Sequence, residues 1–114
     1  PAPSETIMRP LEHKKLLTLI APHEFQRLLV DTLRKREVGG YTIVEATGAG
    51  ASGVRSGGPL GCDSNVLIYV IISEARLQLV LEDLDALMRD GYRFKAMFSD
   101  ITILPRKPTA GSEP

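Results

Sequence analysis

The stretch Asn65-Val66-Leu67-Ile68-Tyr69-Val70-Ile71-Ile72 is apolar almost without interruption and is followed directly by Ser73-Glu74. A β-branched and aromatic run of this length suits a strand buried well into a sheet. Ser73 is a favourable N-cap. Beyond it Leu77, Val80, Leu81, Leu84, Leu87 and Met88 recur at the spacing of an amphipathic helix that Gly91 closes. The charged residues Glu82, Asp83, Asp85 and Arg89 read as the solvated face of that helix.

Working outward from this strand and helix, Tyr92 to Leu104 alternates loosely through Phe94, Ala96, Phe98, Ile101 and Ile103, with no glycine or proline before Pro105. It reads as a last strand, with a bend expected near Ser99-Asp100. Toward the N-terminus, Tyr41 to Thr47 is rich in β-branched and aromatic residues with approximate period-two alternation, and reads as a strand introduced by Gly39-Gly40. Before it, Phe25, Leu28, Leu29, Thr32 and Leu33 mark the apolar face of a helix starting near Pro22. Lys14 to Ile20 is a short apolar stretch stopped by Pro22, and reads as the first strand.

The predicted order is strand, helix, strand, strand, helix, strand. This is the α+β ferredoxin-like βαββαβ sandwich, with two helices on one face of a four-stranded antiparallel sheet. The folded domain is expected over residues 13–104. Residues 1–12 carry Pro1, Pro3 and Pro10, and residues 105–114 carry Pro105, Pro108, Gly111 and Pro114, so both ends read as flexible tails.

Composition narrows the function. Apolar residues make up 43% and charged residues 25% of 114 residues, as in an ordinary globular domain. Fourteen Lys plus Arg balance fourteen Asp plus Glu, so no global field favours nucleic acid or an anionic membrane. The one cysteine, Cys62, offers neither a disulfide framework nor a zinc site. No apolar run reaches the roughly 20 residues of a membrane helix, and Pro1 to Arg9 lacks the order of a signal peptide, so a cytoplasmic location is expected. His13 and His23 have no partnered acid or nucleophile at a recognisable spacing, and the acidic helix residues do not converge. No catalytic residue and no metal site are expected.

Between the second and third strands, Gly48 to Asp63 contains six glycines and one proline and holds no regular element. Gly48-Ala49-Gly50-Ala51-Ser52-Gly53 satisfies G-x-G-x-x-G, but the following Ser56-Gly57-Gly58-Pro59-Leu60-Gly61 cannot supply the helix N-terminus on which a dinucleotide fingerprint depends. Glycine does let backbone N–H groups approach an anion closely, and Arg55 adds a guanidinium that can grip phosphate bidentately. A flexible hairpin connection kept soluble by Arg55 explains the same residues. Asp63 and Asn65 at the loop exit fit either turn chemistry or ligand contact.

The stretch Gly40-Tyr41-Thr42-Ile43-Val44-Glu45-Ala46-Thr47-Gly48-Ala49-Gly50 resembles the G-x-T-x-x-E-x-x-G-x-G sequence leading into the T-loop of PII signal-transduction proteins. Gly53-Val54-Arg55-Ser56-Gly57 is similar to the G-V-R-x-G loop of the PII-like branch associated with inorganic-carbon uptake and carboxysomes. The likeness spans about Lys14 to Leu104. It implies a homotrimeric regulator, not an enzyme, with an adenine-nucleotide cleft between subunits and a T-loop at about residues 48–63. It assigns Thr42, Gly48, Gly50, Ser52, Gly53 and Arg55 to that cleft, with Arg93, Lys95 and Arg106 as supplementary cations from a neighbouring subunit.

Two departures refine the expectation. No tyrosine lies between Gly48 and Asn65, so the uridylylation target of the nitrogen-sensing branch is missing. Asp90-Gly91-Tyr92-Arg93-Phe94-Lys95 stands where that branch has a glycine-rich second phosphate loop. AMP, ADP or cyclic AMP therefore fits better than magnesium-bound ATP. Bicarbonate is the expected second ligand, and a bicarbonate transporter or carboxysome-linked protein the expected partner. The competing readings are a nitrogen-type PII regulator and a small trimeric ferredoxin-like metal-tolerance protein.

Overall fold

The computed structural model describes residues 8–48 and 63–106. In chain order the elements are β1 (Glu12–Pro22), a 3-10 turn (His23–Phe25), α1 (Gln26–Lys35), β2 (Thr42–Gly48), β3 (Asp63–Ile72), α2 (Glu74–Arg89) and β4 (Lys95–Ile103). The sheet order is β2-β3-β1-β4 with every neighbouring pair antiparallel, the predicted ferredoxin-like arrangement.

Period-two alternation divides the sheet into two faces. Leu17, Leu19 and Ala21 of β1 pair with Val70, Ile68 and Val66 of β3, and all six are buried. Leu29, Val30 and Leu33 of α1 and Leu77, Val80 and Leu84 of α2 join them in one core. The stripe expected on α1 omits Val30, which is buried, and the stripe expected on α2 includes Met88, which is 39% exposed.

Three local expectations are refined. The β4 ladder passes Ser99-Asp100 without a bulge or break, Ser99 pairing with Leu16 and Asp100 with Lys15. The helix predicted from Pro22 begins as a 3-10 turn, and α1 ends at Lys35, before Gly39-Gly40. Asp83 is not on a solvated face. Its carboxylate accepts two hydrogen bonds from Arg36, and this joins the C-terminal end of α1 to α2.

The helix ends follow from capping chemistry. The Ser73 hydroxyl accepts from the backbone N–H of Arg76 and opens α2. Gly91, at φ +104°, closes it in a left-handed conformation that glycine adopts without steric cost. After α1 the same turn falls to Glu37, at φ 55°. Arg76 Nη1 donates to the carbonyl of Arg36 there, satisfying one of the carbonyls that a helix end leaves open.

The second sheet face carries Val44, Leu67, Ile20, Tyr69, Thr18, Met97, Leu16 and Ile71 in cross-strand rows. No element among the described residues covers it. Val44, Ile71 and Met97 are 44%, 49% and 44% exposed, respectively.

Candidate functional site

The ladder between β2 and β3 locates the root of the glycine-rich segment. Gly48 pairs with Asp63, so residues 49–62 leave and re-enter the sheet at one end. The predicted site residues Gly50, Ser52, Gly53 and Arg55, like Cys62, lie outside the described residues. Gly48 lies within β2, and its φ is not in the left-handed region. Among the described residues, a Cβ added there would meet only Nδ2 of Asn65, at 3.7 Å, which is ordinary contact. Neither backbone strain nor crowding among the described residues accounts for glycine at this position.

The same end of the sheet carries the close of β1, where Pro22 pairs with Asn65, and the start of β4, where Lys95 pairs with Ile20. Ile20 pairs in turn with Leu67, and Leu67 with Val44, so Lys95 shares the open face but sits on the opposite edge strand, roughly 20 Å from Gly48. Arg93 precedes it in the α2–β4 connection, and both side chains are exposed.

The remaining two predicted residues lie elsewhere. Thr42 is at the far end of β2 from Gly48, roughly 20 Å along the strand. It faces the open side in a row with Tyr69, Thr18 and Met97. Arg106 lies beyond Ile103, the last residue of the 9-residue β4, so the strand places it roughly 27 Å or more from Lys95. One subunit therefore does not bring Arg106 to its own loop root.

Two clefts open on the helix side, and neither includes a predicted site residue. One, of about 420 Å³, lies between α1 and α2 beside Lys35, Arg36, Asp83 and Leu87. The other, of about 480 Å³, lies where β1 and β4 run past the start of α2, beside His13, Lys15, Glu74, Asp100 and Thr102. In the second cleft Lys15 donates to Asp100. That bond holds the Lys15 ammonium above its usual range and the Asp100 carboxyl below its own, partly opposed in each case by desolvation. His13 Nδ1 is 3.2 Å from the Thr102 hydroxyl. Opposite charges in both clefts satisfy each other, which is the chemistry of structural pairs. Among the described residues no group of three His, Cys, Asp or Glu side chains could hold a metal ion, and no helix is long and apolar enough to cross a membrane.

The sequence reading passed over Arg9, Arg36 and Arg76, whose partners are distant in the chain. The only available signal was a cation at a helix end or beside a strand terminus, which local periodicity does not resolve.

Comparison with known proteins follows this geometry. The family profile described as Nitrogen regulatory protein P-II matches residues 14–106. Among solved structures, CPII from Thiomonas intermedia bound to ADP and bicarbonate is 25% identical with a TM-score of 0.72, covering 84% of this chain and 93% of that one. A putative PII-like signaling protein from Thermus thermophilus is 28% identical with a TM-score of 0.67, covering 82% and 92%. A further CPII structure, bound to ADP, AMP and bicarbonate, is 22% identical with a TM-score of 0.69, covering 82% and 96%. No curated protein matches the chain at a significant level.

Proposed function

The chain belongs to the nitrogen regulatory protein P-II family, and on that premise we propose that it is a nucleotide-responsive regulator, not an enzyme, that binds ADP or AMP together with bicarbonate in clefts between the subunits of a trimer. The observation that carries this reading is the similarity, over 84% of the chain, to a CPII structure bound to ADP and bicarbonate. Gly48 at the loop root, joined by Gly50, Ser52, Gly53 and Arg55 of the glycine-rich T-loop, forms one side of the cleft. Arg93, Lys95 and Arg106 supplement it from the adjacent subunit, because a single sheet holds Lys95 and Arg106 far from their own loop root, and Thr42, at the far end of β2, joins them on that side.

The open apolar face supports the trimer. A sheet covered on one side only leaves Val44, Ile71 and Met97 in water, and burying such a face between copies is the usual remedy. Gly48 supports close backbone approach by a ligand, since the described fold does not require glycine there. Nucleotide and bicarbonate order the loop, and the ordered loop presents or withdraws a surface for a partner in inorganic-carbon uptake, either a bicarbonate transporter or a carboxysome-linked protein.

The test is a thermal-shift and calorimetric series with AMP, ADP, ATP and cyclic AMP. A ligand of the native state raises the melting temperature by mass action. Saturable binding of AMP or ADP, in preference to ATP with magnesium, is the expected result. No shift with any of the four would overturn the reading.

A further inference from the structure

The β1–β4 ladder ends at the pair Glu12 and Ile103. Beyond it the two chain segments, 8–11 and 104–106, run on without backbone pairing. Pro10 and Pro105 lie in these segments and have no N–H to donate, so carbonyls at the exit of β4 need another donor. Arg9 supplies it. Its Nη1 donates to the carbonyl of Pro105 at 2.6 Å and also to that of Arg106. The Arg106 guanidinium itself makes no hydrogen bond or ion pair among the described residues. Arg9 also lies outside the 14–106 stretch matched by the family profile, while its partners are the last residues inside that stretch.

We propose that Arg9 is a positioning residue: by gripping the carbonyls of Pro105 and Arg106 it fixes the backbone where β4 ends, and so directs the Arg106 guanidinium to a phosphate of a nucleotide held in the adjacent subunit's cleft. This rests on the reading of Arg106 as a phosphate ligand. A charged donor shared by two carbonyls restrains the backbone more than a side chain reaching into solvent does. The ordering cost of the Arg106 segment is then met before the ligand arrives, which is how preorganisation raises affinity.

The full chain, Arg9→Ala, Arg106→Ala and the double variant are titrated with ADP and with adenosine by calorimetry. Arg9→Ala is expected to weaken ADP about fivefold to tenfold, the scale of one ordinary hydrogen bond, because the lost contact is exposed and acts through Arg106. It should leave adenosine, which has no phosphate, unchanged, and add nothing in the Arg106→Ala background. Equal losses for ADP and adenosine, or additive losses in the double variant, would overturn the positioning role while leaving the nucleotide reading intact. Arg106→Ala binding ADP as tightly as the parent would instead remove Arg106 from the site, and the role of Arg9 with it.

Trypsin gives a readout independent of nucleotide. Cleavage after Arg106 is expected to be severalfold faster in Arg9→Ala, because the released segment opens more often. Arg9 precedes Pro10, a bond trypsin does not cut, so the substitution neither adds nor removes a cleavage site. An unchanged rate would show that Arg9 does not restrain the segment.

Discussion

Arg36 holds Asp83 with two hydrogen bonds, Nε to Oδ2 at 2.7 Å and Nη2 to Oδ1 at 3.0 Å, between residues 47 apart in the chain. The side chains are 34% and 30% exposed, so the pair is partly withdrawn from water. The bond from Arg36 is the main cause that holds the Asp83 carboxyl below the usual carboxylate range, against an opposing desolvation. Asp83→Asn should lower the melting temperature at neutral pH. A depressed folded-state pKa contributes stability that is complete above the unfolded pKa and lost as pH falls through the folded one. The gap between wild type and Asp83→Asn in denaturant titrations should therefore be constant near neutrality and close as pH drops below the ordinary carboxylate range. A gap that stays constant into acid would show that the charge contributes nothing.

Leu84 and Met88 lie one turn apart on α2, yet Leu84 is 1% exposed and Met88 39%. Leu84→Ala should cost about 3 kcal/mol in urea denaturation, the sum of lost transfer energy and a residual cavity. Met88→Ala should stay within about 0.5 kcal/mol. Similar losses at the two positions would mean that Met88 is covered.

Gly91 has open space around a hypothetical Cβ, so a substitution there meets conformational strain alone. Gly91→Ala should cost about 1 kcal/mol from the left-handed backbone. Glu37→Gly, at φ 55°, should change stability in the opposite direction, by about 0.5 kcal/mol once the extra freedom of the unfolded chain is subtracted. Equilibrium unfolding of the two variants measures both signs.

Ile71 and Met97 project from the open sheet face. On the proposed trimer, with the open face at the subunit interface, Ile71→Lys and Met97→Lys should place desolvated charge there and produce monomers that keep their circular-dichroism spectrum. Light scattering should show a threefold fall in mass relative to the parent. A parent that is already monomeric at micromolar concentration would contradict the trimer.

Arg55→Ala should weaken ADP by roughly 1.5–3 kcal/mol, the range for a charged hydrogen bond, without altering assembly. Gly48→Ala should weaken ADP too while leaving the melting temperature of the free protein nearly unchanged. Bicarbonate should tighten ADP binding relative to chloride at equal pH and ionic strength, because each ligand finds the loop ordered by the other. Equal ADP affinities in the two buffers would leave a nucleotide sensor without a bicarbonate input.

The place of Gly48 at a strand end was legible because it is local: a β-branched run ends there and the glycines begin. The assignment of Gly48 and Lys95 to a nucleotide cleft came from the family resemblance and remains a proposal. Arg106 was legible as a cation and, through the resemblance, as one serving a neighbouring subunit, while its distance from its own loop root came from the structure. Arg9 was not legible at all, since its two acceptors are backbone carbonyls 96 and 97 residues away.

The sequence by itself determined the elements and their order, because hydrophobic period and capping residues act within a few positions of one another. Asn65 to Ile72 reads as a buried strand, and Ser73 as a helix start, whatever else the chain does. Only the tertiary structure decided that β4 stays paired through Ser99 and Asp100, since the ladder with Leu16 and Lys15 overrides the weak local alternation. It also gave Asp83 to Arg36 rather than to solvent, and it set Arg106 at the opposite end of the sheet from Gly48. Each of these depends on which distant segments come together, and the free energy that brings them together lies in burial of the shared core and in paired backbone groups, neither of which is written in the spacing of any one stretch.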